Sequence, residues 1–157
     1  MARIKLELPD VFGFSTELTV RIGDINYGGH LGNDALLSLM HEARIRFLAQ
    51  YGFSEKDAGG SGLIMTDAVI IYKAQAFSGD KLIIELAVND ISRKGCDFVY
   101  RITNKENGIE IARSKTGIVF FDYSRNKVVR VPEKFKAVFV EGLDISRKKA
   151  HKAQREK

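Results

Sequence analysis

One amphipathic helix constrains the fold of this chain more than any other feature of the sequence. From about Asp34 to Gln50, apolar residues recur at helical spacing. They are Leu36, Leu39, Met40, Ala43 and Phe47, with Leu37 and Leu48 widening the stripe. The side chain of Asn33 or Asp34 is predicted to cap the first turn, and Gly52 to end the helix. No other segment before the C-terminus shows this period, so one rod of ~25 Å must supply the helical layer.

The remaining regular segments are predicted strands, bounded by turn-forming residues. They are Thr16 to Ile22, Leu63 to Tyr72, Lys81 to Asp90, Cys96 to Thr103, Ile109 to Phe121 and Lys127 to Val131. The connections FSGD, SRKG and NKENG are predicted hairpin turns, Gly117 marks a bulge or close approach, and Pro132 opens a short terminal helix. This order predicts an α+β fold in which an antiparallel sheet of five or six strands wraps around the long helix.

Charge is distributed unevenly along the 157 residues, a length that fits one domain. Residues 146–157 contain six basic residues and one acidic residue, which leaves 19 basic and 19 acidic residues elsewhere. A neutral body argues against nucleic-acid binding, which requires a basic face. We therefore predict a single domain over residues 1–145, followed by a basic, disordered tail over residues 146–157.

The sequence also bears on compartment and assembly. Cys96 is the sole cysteine, so no internal disulfide is possible, and its alternation with Phe98 and Tyr100 indicates a buried residue instead of a nucleophile. The N-terminus lacks the apolar run of a signal peptide, and no segment approaches ~18 apolar residues. We predict a cytoplasmic protein without membrane association. Because one helix covers only one face of a sheet, the other face and the edge strands are predicted to need a partner, giving a homodimer or homotetramer.

The loop before the helix, GDINYGGHLGN, is the most informative segment for function. Gly28, Gly29 and Gly32 would let the backbone approach a ligand closely. The loop leads into a helix N-terminus, where unpaired N–H groups and the helix dipole favour developing negative charge. An oxyanion hole for attack on a carbonyl has these requirements, although glycines before a helix are also common in ordinary turns.

This loop, together with HEAR at residues 41–44, resembles the 4-hydroxybenzoyl-CoA thioesterase family of hot-dog proteins. That family carries Asp-x-Asp-x-x-Gly after its first strand and a helix ending in Glu-x-Ala-Arg. The segment YKAQAFSGDKL, from Tyr72 to Leu82, is similar to the family's tyrosine, small residues and Gly-Asp turn. The resemblance implies a hot-dog fold that hydrolyses an acyl-CoA or acyl-carrier-protein thioester. It implies no metal and no redox cofactor, since coenzyme A is part of the substrate.

The sequence departs from the family at the catalytic carboxylate, because that position is Asn26 here. Asparagine can orient water or bind a carbonyl, but it cannot accept a proton at neutral pH. His30 is the first candidate for the base, since a helix N-terminus favours neutral imidazole. His30 and Asn33 also match a motif of the plant acyl-carrier-protein thioesterases. A structural, capping histidine is the alternative.

The resemblance therefore implies that Asn26 and the backbone of Gly28, Gly29 and His30 stabilise the oxyanion. Substrate-binding residues are predicted at Gly28, Gly29, Leu31, Asn33 and Tyr72.

Three more residues are candidates for the site. Asp24 would face the same side as Asn26 if the chain is extended there; otherwise it is a turn residue. Asp67 interrupts an apolar strand and is either a buried base with a raised pKa or a surface carboxylate with a basic neighbour. Hot-dog thioesterases of enediyne pathways carry Asn at the position of Asn26 and Arg at that of Arg44. This implies that Arg44 orients the site, whereas pairing with Glu42 or a loop carboxylate is the structural alternative.

Two other functions stay open at the level of sequence. A non-catalytic module that binds acyl thioesters or carrier proteins would explain the missing carboxylate. An enoyl-thioester hydratase is the weaker alternative, because DINYGGH resembles its Asp-x-Asn-Pro-x-His motif with the histidine one residue late and no proline. Basic residues that could meet substrate phosphates, or simply be surface charges, are Lys73, Arg93, Lys94, Arg113 and Lys115.

Overall fold

The computed structural model describes residues 3–139. Its elements are β1 (Phe14–Thr19), a 3-10 turn (Ile22–Asp24), α1 (Asn33–Gln50), β2 (Gly62–Tyr72), β3 (Lys81–Asn89), β4 (Gly95–Asn104), β5 (Glu110–Asp122) and β6 (Lys127–Val129). A second helix, α2, begins at residue 133 and is described as far as residue 139. The predicted domain end at residue 145 and the basic tail over residues 146–157 lie outside the described residues. No helix within residues 3–139 is long and apolar enough to cross a membrane.

Six antiparallel strands form one sheet, in the order β1-β3-β4-β5-β2. β6 pairs with the last residues of β5, on the side where β4 has already ended. The predicted α+β architecture, with one long helix against an antiparallel sheet, is therefore confirmed. One edge of the sheet is β1, and the other is β2, ten of whose eleven residues pair with β5 on one side.

The core lies between α1 and the inner face of the sheet. The predicted helix stripe is buried there, apart from Leu37, which is 37% exposed because it lies ~100° around the helix from Leu36. The facing strand residues that are fully buried are Leu82, Ile84, Leu86, Phe98, Tyr100, Ile102 and Phe120. Each buried aliphatic or aromatic side chain of this kind contributes about 1.5–3 kcal/mol, so this layer accounts for most of the fold's cohesion.

The outer face of the sheet is polar, and the N-terminal segment covers part of it. Ion pairs on this face join Arg101 to Glu85 at 2.6 Å, Arg113 to Glu110 at 2.7 Å and Lys115 to Asp67 at 3.0 Å. The carbonyl of Leu6 accepts a hydrogen bond from Arg113 at 3.0 Å, and the ring of Phe12 lies 5.1 Å from the guanidinium of Arg101. The charges of this face are paired within the chain, and the expectation that the face needs a partner subunit stays a prediction.

The first strand ends earlier than predicted. β1 stops at Thr19, and Ile22 is 80% exposed instead of joining the apolar face with Leu18 and Val20. The cause is local: the Asp24 carboxylate accepts a hydrogen bond from the backbone N–H of Arg21 at 2.8 Å, which closes the 3-10 turn.

The turns are mostly as predicted. SRKG joins the paired strands β3 and β4, and NKENG joins β4 and β5. FSGD is not a hairpin turn, because β2 and β3 lie apart in the sheet and the chain crosses between them. Gly117 is a close approach opposite a bulge in β2: a Cβ on it would lie 2.5 Å from the Asp67 carboxylate.

Candidate active site

The loop before α1 folds back on itself as a tight hairpin. The N–H of Asn26 donates to the carbonyl of His30 at 2.9 Å, and Ile25 forms an isolated antiparallel bridge with Leu31. Gly29 has a φ of +82°, a conformation that favours glycine, at the tip. The N–H of Leu31 also donates to the carbonyl of Ala76 at 2.7 Å, which fixes the hairpin against the chain after β2.

The hairpin brings Asn26 and His30 together over Gly28. The Oδ1 atom of Asn26 accepts the N–H of Gly28 at 2.9 Å. A Cβ on Gly28 would lie 3.2 Å from that oxygen and 3.3 Å from Nε2 of His30. The two predicted catalytic side chains therefore flank one small space, which stays open because residue 28 has no side chain.

The imidazole of His30 is oriented so that Nε2 can accept a proton. Its Nδ1 lies 3.3 Å from the carbonyl oxygen of Leu31. A carbonyl oxygen only accepts, so this hydrogen bond requires the proton on Nδ1 and leaves the lone pair on Nε2. The ring is half-buried, and Nε2 is the atom that faces Gly28.

The backbone amides divide into occupied and free donors. Gly28 N–H donates to the Asn26 side chain, and Gly29 N–H donates to the Asn26 carbonyl at 3.0 Å. Both were predicted to bind the oxyanion, but both already have partners inside the loop. Within residues 3–139, the N–H groups of His30, Asn33 and Asp34 make no hydrogen bond. These three are among the donors left for a ligand, and the N–H of Ala35 in the same first turn likewise makes no hydrogen bond within residues 3–139.

The start of α1 has no side-chain cap. The N-cap residue is Gly32, so Asn33 and Asp34 are the first helical residues and the prediction that one of them caps the helix is wrong. The Asp34 carboxylate folds back instead: a Cβ on Gly32 would lie 2.8 Å from its Oδ1. The first-turn amides and the dipole therefore remain available for a developing negative charge.

A cavity of about 250 Å³ adjoins this helix start. It is bounded by His30 and Leu31, by Asn33 and Leu36 of α1, and by residues 72–76. Of the residues predicted to bind substrate, Leu31, Asn33 and Tyr72 line the cavity, whereas Gly28 and Gly29 lie in the adjoining loop.

Tyr72 ties the end of β2 to the helix start. Its hydroxyl donates to the carbonyl of Asn33 at 3.0 Å. Burial, and then the charge of Asp34, raise the pKa of the Tyr72 phenol, so it stays protonated at neutral pH. Lys73, which the sequence offered as a possible contact for substrate phosphates, also lines the cavity, and so does Gln75, which the sequence did not single out.

Asp24 is poorly suited to accept a proton. It is 6% exposed, and its carboxylate is held by the backbone N–H of Arg21 at 2.8 Å and by the guanidinium at 3.2 Å. Burial raises the pKa of this carboxyl, but the hydrogen bonds and charge of Arg21 outweigh burial and hold the pKa below its ordinary value. Asp24 lies in the 3-10 turn, so the extended chain that would align it with Asn26 is absent.

Arg44 lies in a separate, buried polar network. It is eleven residues beyond Asn33, or ~16 Å along the helix. Its Nε donates to Glu55 at 2.8 Å and its Nη1 to the Tyr100 hydroxyl at 3.3 Å, and that hydroxyl contacts Thr116 at 3.2 Å. Within one subunit the structure does not bring Arg44 to Asn26. The partner of Arg44 is Glu55, a loop carboxylate, which agrees with the alternative that gives Arg44 a structural role.

Two further candidates are explained by their surroundings. Asp67 is exposed, accepting hydrogen bonds from Lys115 and from the N–H of Gly117, both at 3.0 Å. The Lys115 bond lowers the pKa of Asp67, so the hypothesis of a buried base with a raised pKa is wrong. Burial raises the pKa of the Cys96 thiol to about 12, consistent with a packing role. Residues 3–139 contain no cluster of three His, Cys, Asp or Glu side chains that could hold a metal.

Comparison with known proteins agrees with this fold. Residues 20–139 match the model of the thioesterase-like superfamily. A 1,4-dihydroxy-2-naphthoyl-CoA hydrolase from Microcystis aeruginosa is 30% identical over 123 residues, covering 76% of this chain and 88% of that protein. A crystal structure of the 1,4-dihydroxy-2-naphthoyl-CoA thioesterase from Synechocystis superposes with a TM-score of 0.74 at 24% identity, covering 81% and 95% of the two chains. A gentisyl-coenzyme A thioesterase gives 0.71 at 20% identity, covering 80% and 99%.

The chain therefore belongs to the thioesterase-like superfamily. The hot-dog fold expected from the sequence is confirmed. The expectation of a thioester hydrolase is also confirmed, at the level of the superfamily and its acyl-CoA thioesterase relatives.

Proposed function

We propose that this protein hydrolyses an acyl-CoA or acyl-carrier-protein thioester in the cavity at the start of α1, with His30 as the base. One observation supports this most strongly: Asn26 and His30 converge over Gly28, beside a helix N-terminus whose amides lack partners. A base, a carbonyl-binding group and free donors are the parts that water attack on a thioester needs.

The reaction begins with water placed between His30 and the thioester carbonyl. Nε2 of His30 accepts a proton as the water oxygen attacks the carbonyl carbon. Negative charge then develops on the carbonyl oxygen, and the free amides of His30, Asn33 and Asp34 stabilise it. When the C–S bond breaks, the thiolate takes the proton from His30. The products are a carboxylic acid and a thiol, so the reaction needs no metal and no redox cofactor.

Asn26 acts as a donor in this scheme and not as a base. Its Oδ1 is held by Gly28 N–H, which fixes the plane of the amide. The Nδ2 group makes no hydrogen bond within residues 3–139 and is available to the substrate carbonyl. This role explains how a branch of the 4-hydroxybenzoyl-CoA thioesterase type can work with asparagine at the position of the usual aspartate.

The acyl group that fits this cavity is compact and partly polar. The buried side chain of Leu36 lines the cavity, and the cavity of about 250 Å³ carries Tyr72, Lys73 and Gln75 on its wall. The relatives named above act on hydroxylated aromatic acyl-CoA substrates. We infer that a hydroxylated aromatic acyl thioester is preferred to a long aliphatic one.

The active form is a homodimer formed along β2. This edge strand is eleven residues long, is unpaired on one side within residues 3–139, and has a 47% exposed Met65. Such an edge favours antiparallel pairing with a second copy. A tetramer is not required, because the outer face is already covered by ion pairs and by the N-terminal segment. We expect it to act in the cytoplasm, without nucleic acid or membrane partners.

Thiol release from a panel of acyl-CoAs, from short to long and aromatic, tests this function. Asn26→Ala and His30→Ala should each lower turnover of the best substrate at least about tenfold, or ~1.4 kcal/mol of barrier. His41→Ala is the control, because His41 is an exposed histidine on α1 that contacts Glu55 and does not line the cavity.

Two outcomes would redirect the proposal. Tight binding of acyl-CoA without thiol release would favour the non-catalytic binding module. Formation of a 3-hydroxyacyl product from a 2-enoyl-CoA would favour the hydratase.

A further inference from the structure

A second concave surface lies at the opposite end of β2 and β5 from the cavity. It has a volume of about 590 Å³ and forms where the β3–β4 turn, the β5–β6 turn and residues 59–61 meet. Five cations line it and one carboxylate does: Arg93, Lys94, Arg125, Lys127 and Arg130, with Asp122. We call this surface the basic groove.

Most of the charge in the basic groove is not neutralised locally. Arg125 pairs with Asp122 at 2.7 Å, whereas Lys94, Lys127 and Arg130 form no ion pair within residues 3–139. Because the chain outside residues 146–157 has equal numbers of acidic and basic residues, this excess is a local polarisation of the surface. It favours a polyanionic partner.

The surroundings of the basic groove favour a protein partner. Tyr123 of the β5–β6 turn is 63% exposed and Val128 of β6 is 40% exposed, and aromatic residues beside arginines are typical of protein interfaces. The cations lie on two turns, at the first residue of β6 and at the residue after β6, so they spread over a surface instead of converging on one phosphate. Residues 146–157, which follow α2 in the sequence, add six basic residues to the chain.

The basic groove cannot serve the cavity of its own subunit. From Ile111 in the cavity to Asp122 in the groove, β5 spans eleven residues, or about 35 Å, which is longer than a phosphopantetheine arm. Antiparallel pairing of β2 with its copy would instead place the basic groove of one subunit close to the cavity of the other. The Gly62 end of one strand, beside the groove, would then lie next to the Tyr72 end of the other, beside the cavity.

We propose that the basic groove docks the acidic surface of an acyl carrier protein, whose thioester-bearing arm enters the cavity of the partner subunit. This inference rests on the proposed hydrolysis and on the β2 dimer. It selects the carrier-bound thioester from the two substrate forms, and it assigns recognition of the carrier to residues far from the chemistry. Docking charges of this kind mainly change the rate and affinity of association, and turnover of a small substrate should not depend on them.

Charge reversal in the groove tests the proposal with two substrates that carry the same acyl group. Lys94→Glu/Lys127→Glu should lower kcat/KM for the acyl carrier protein at least about tenfold and leave kcat/KM for the acyl-CoA within about twofold. Lys5→Glu/Lys81→Glu is the control, since it makes the same change in charge outside the groove. This control pair should leave both substrates unaffected.

A binding measurement keeps the test independent of catalysis. Titration of fluorescently labelled holo-carrier protein should show the same loss of affinity, at least about tenfold, for the groove variant. Equal losses with the carrier and with acyl-CoA would overturn the proposal, because the groove would then bind the phosphates of coenzyme A. Unchanged carrier binding and turnover would also overturn it. Hydrolysis of acyl-CoA with no binding of carrier protein would refute the docking site and leave the proposed hydrolysis intact.

Discussion

Two polar regions on the same helix behave in opposite ways. Around Arg44, every polar group has a partner: Glu55, Tyr100 and Thr116 complete a network that is largely buried. At the start of α1, the N-cap is a glycine, and the N–H groups of the first helical residues have no partner in the part of the chain that the structure describes. Satisfied polar groups hold the scaffold, whereas unsatisfied donors beside a cavity are available for a ligand. The network around Arg44 therefore contributes stability, and the start of α1 is the region available for chemistry.

The largest effect should come from breaking the buried network. Arg44→Met leaves Glu55 without its main cationic partner, and we expect the free energy of unfolding to fall by about 3 kcal/mol. Urea denaturation measures this change. The control is Arg46→Met, which removes an exposed pair with Glu42 on the same helix and should cost less than about 1 kcal/mol. Equal losses in the two variants would contradict the comparison.

Filling the space over Gly28 should affect activity and not stability. The methyl group of Gly28→Ala would lie 3.2 Å from Asn26 Oδ1 and 3.3 Å from His30 Nε2, so it displaces water from the base. We expect thiol release to fall about tenfold, with the free energy of unfolding within about 0.5 kcal/mol. Gly13→Ala, where no atom lies within 4 Å, is the matched control. Full activity in Gly28→Ala would place the reacting water elsewhere.

Acid should weaken the scaffold network through Glu55. Burial raises the pKa of Glu55, but hydrogen bonds from His41 and Arg44 outweigh burial and hold the pKa below its ordinary value of 4.5. A depressed pKa stabilises the folded state above pH 4.5, and this contribution is lost as pH falls through the folded-state pKa. In Glu55→Gln the fall in unfolding free energy below about pH 5 should be shallower than in wild type. If the unfolding free energies of wild type and Glu55→Gln fall in parallel with pH, Glu55 is not responsible for the loss of stability in acid.

The smallest effect should come from Asp67 on the outer face. Its bond to Lys115 is an exposed ion pair, so Asp67→Asn should change the free energy of unfolding by less than about 1 kcal/mol. Thiol release should be unchanged, because the residue lies away from the cavity. A tenfold loss of activity would return Asp67 to the list of candidate bases.

Much of the fold follows from local sequence patterns. Alternating apolar residues identify each strand, and the helical period identifies α1, because burial on one face imposes those periods. The partners of β2 were not predictable in this way: FSGD has the composition of a hairpin turn, but β2 pairs with β5 across forty residues of sequence. The end of β1 was misplaced because one side chain, Asp24, captures the N–H of Arg21.

The candidate site was only partly predictable. The residue types around Asn26 and His30 indicated a loop for carbonyl chemistry, and the structure does bring those side chains together. Which amides remain free depends on how the hairpin closes, and spacing does not encode that. The surroundings of Arg44 depend on Tyr100, which is 56 residues away in sequence. The buried network around Arg44 could therefore not be predicted from local sequence patterns.

The most direct test of the division between chemistry and scaffold compares His30→Gln with Arg44→Lys on one acyl-CoA substrate. The account predicts that His30→Gln lowers kcat at least about a hundredfold with an unchanged melting temperature. It predicts that Arg44→Lys lowers the melting temperature, while kcat per folded molecule stays within about threefold of wild type. A hundredfold loss of kcat in folded Arg44→Lys, with His30→Gln fully active, would contradict it and move the chemistry to the middle of the helix.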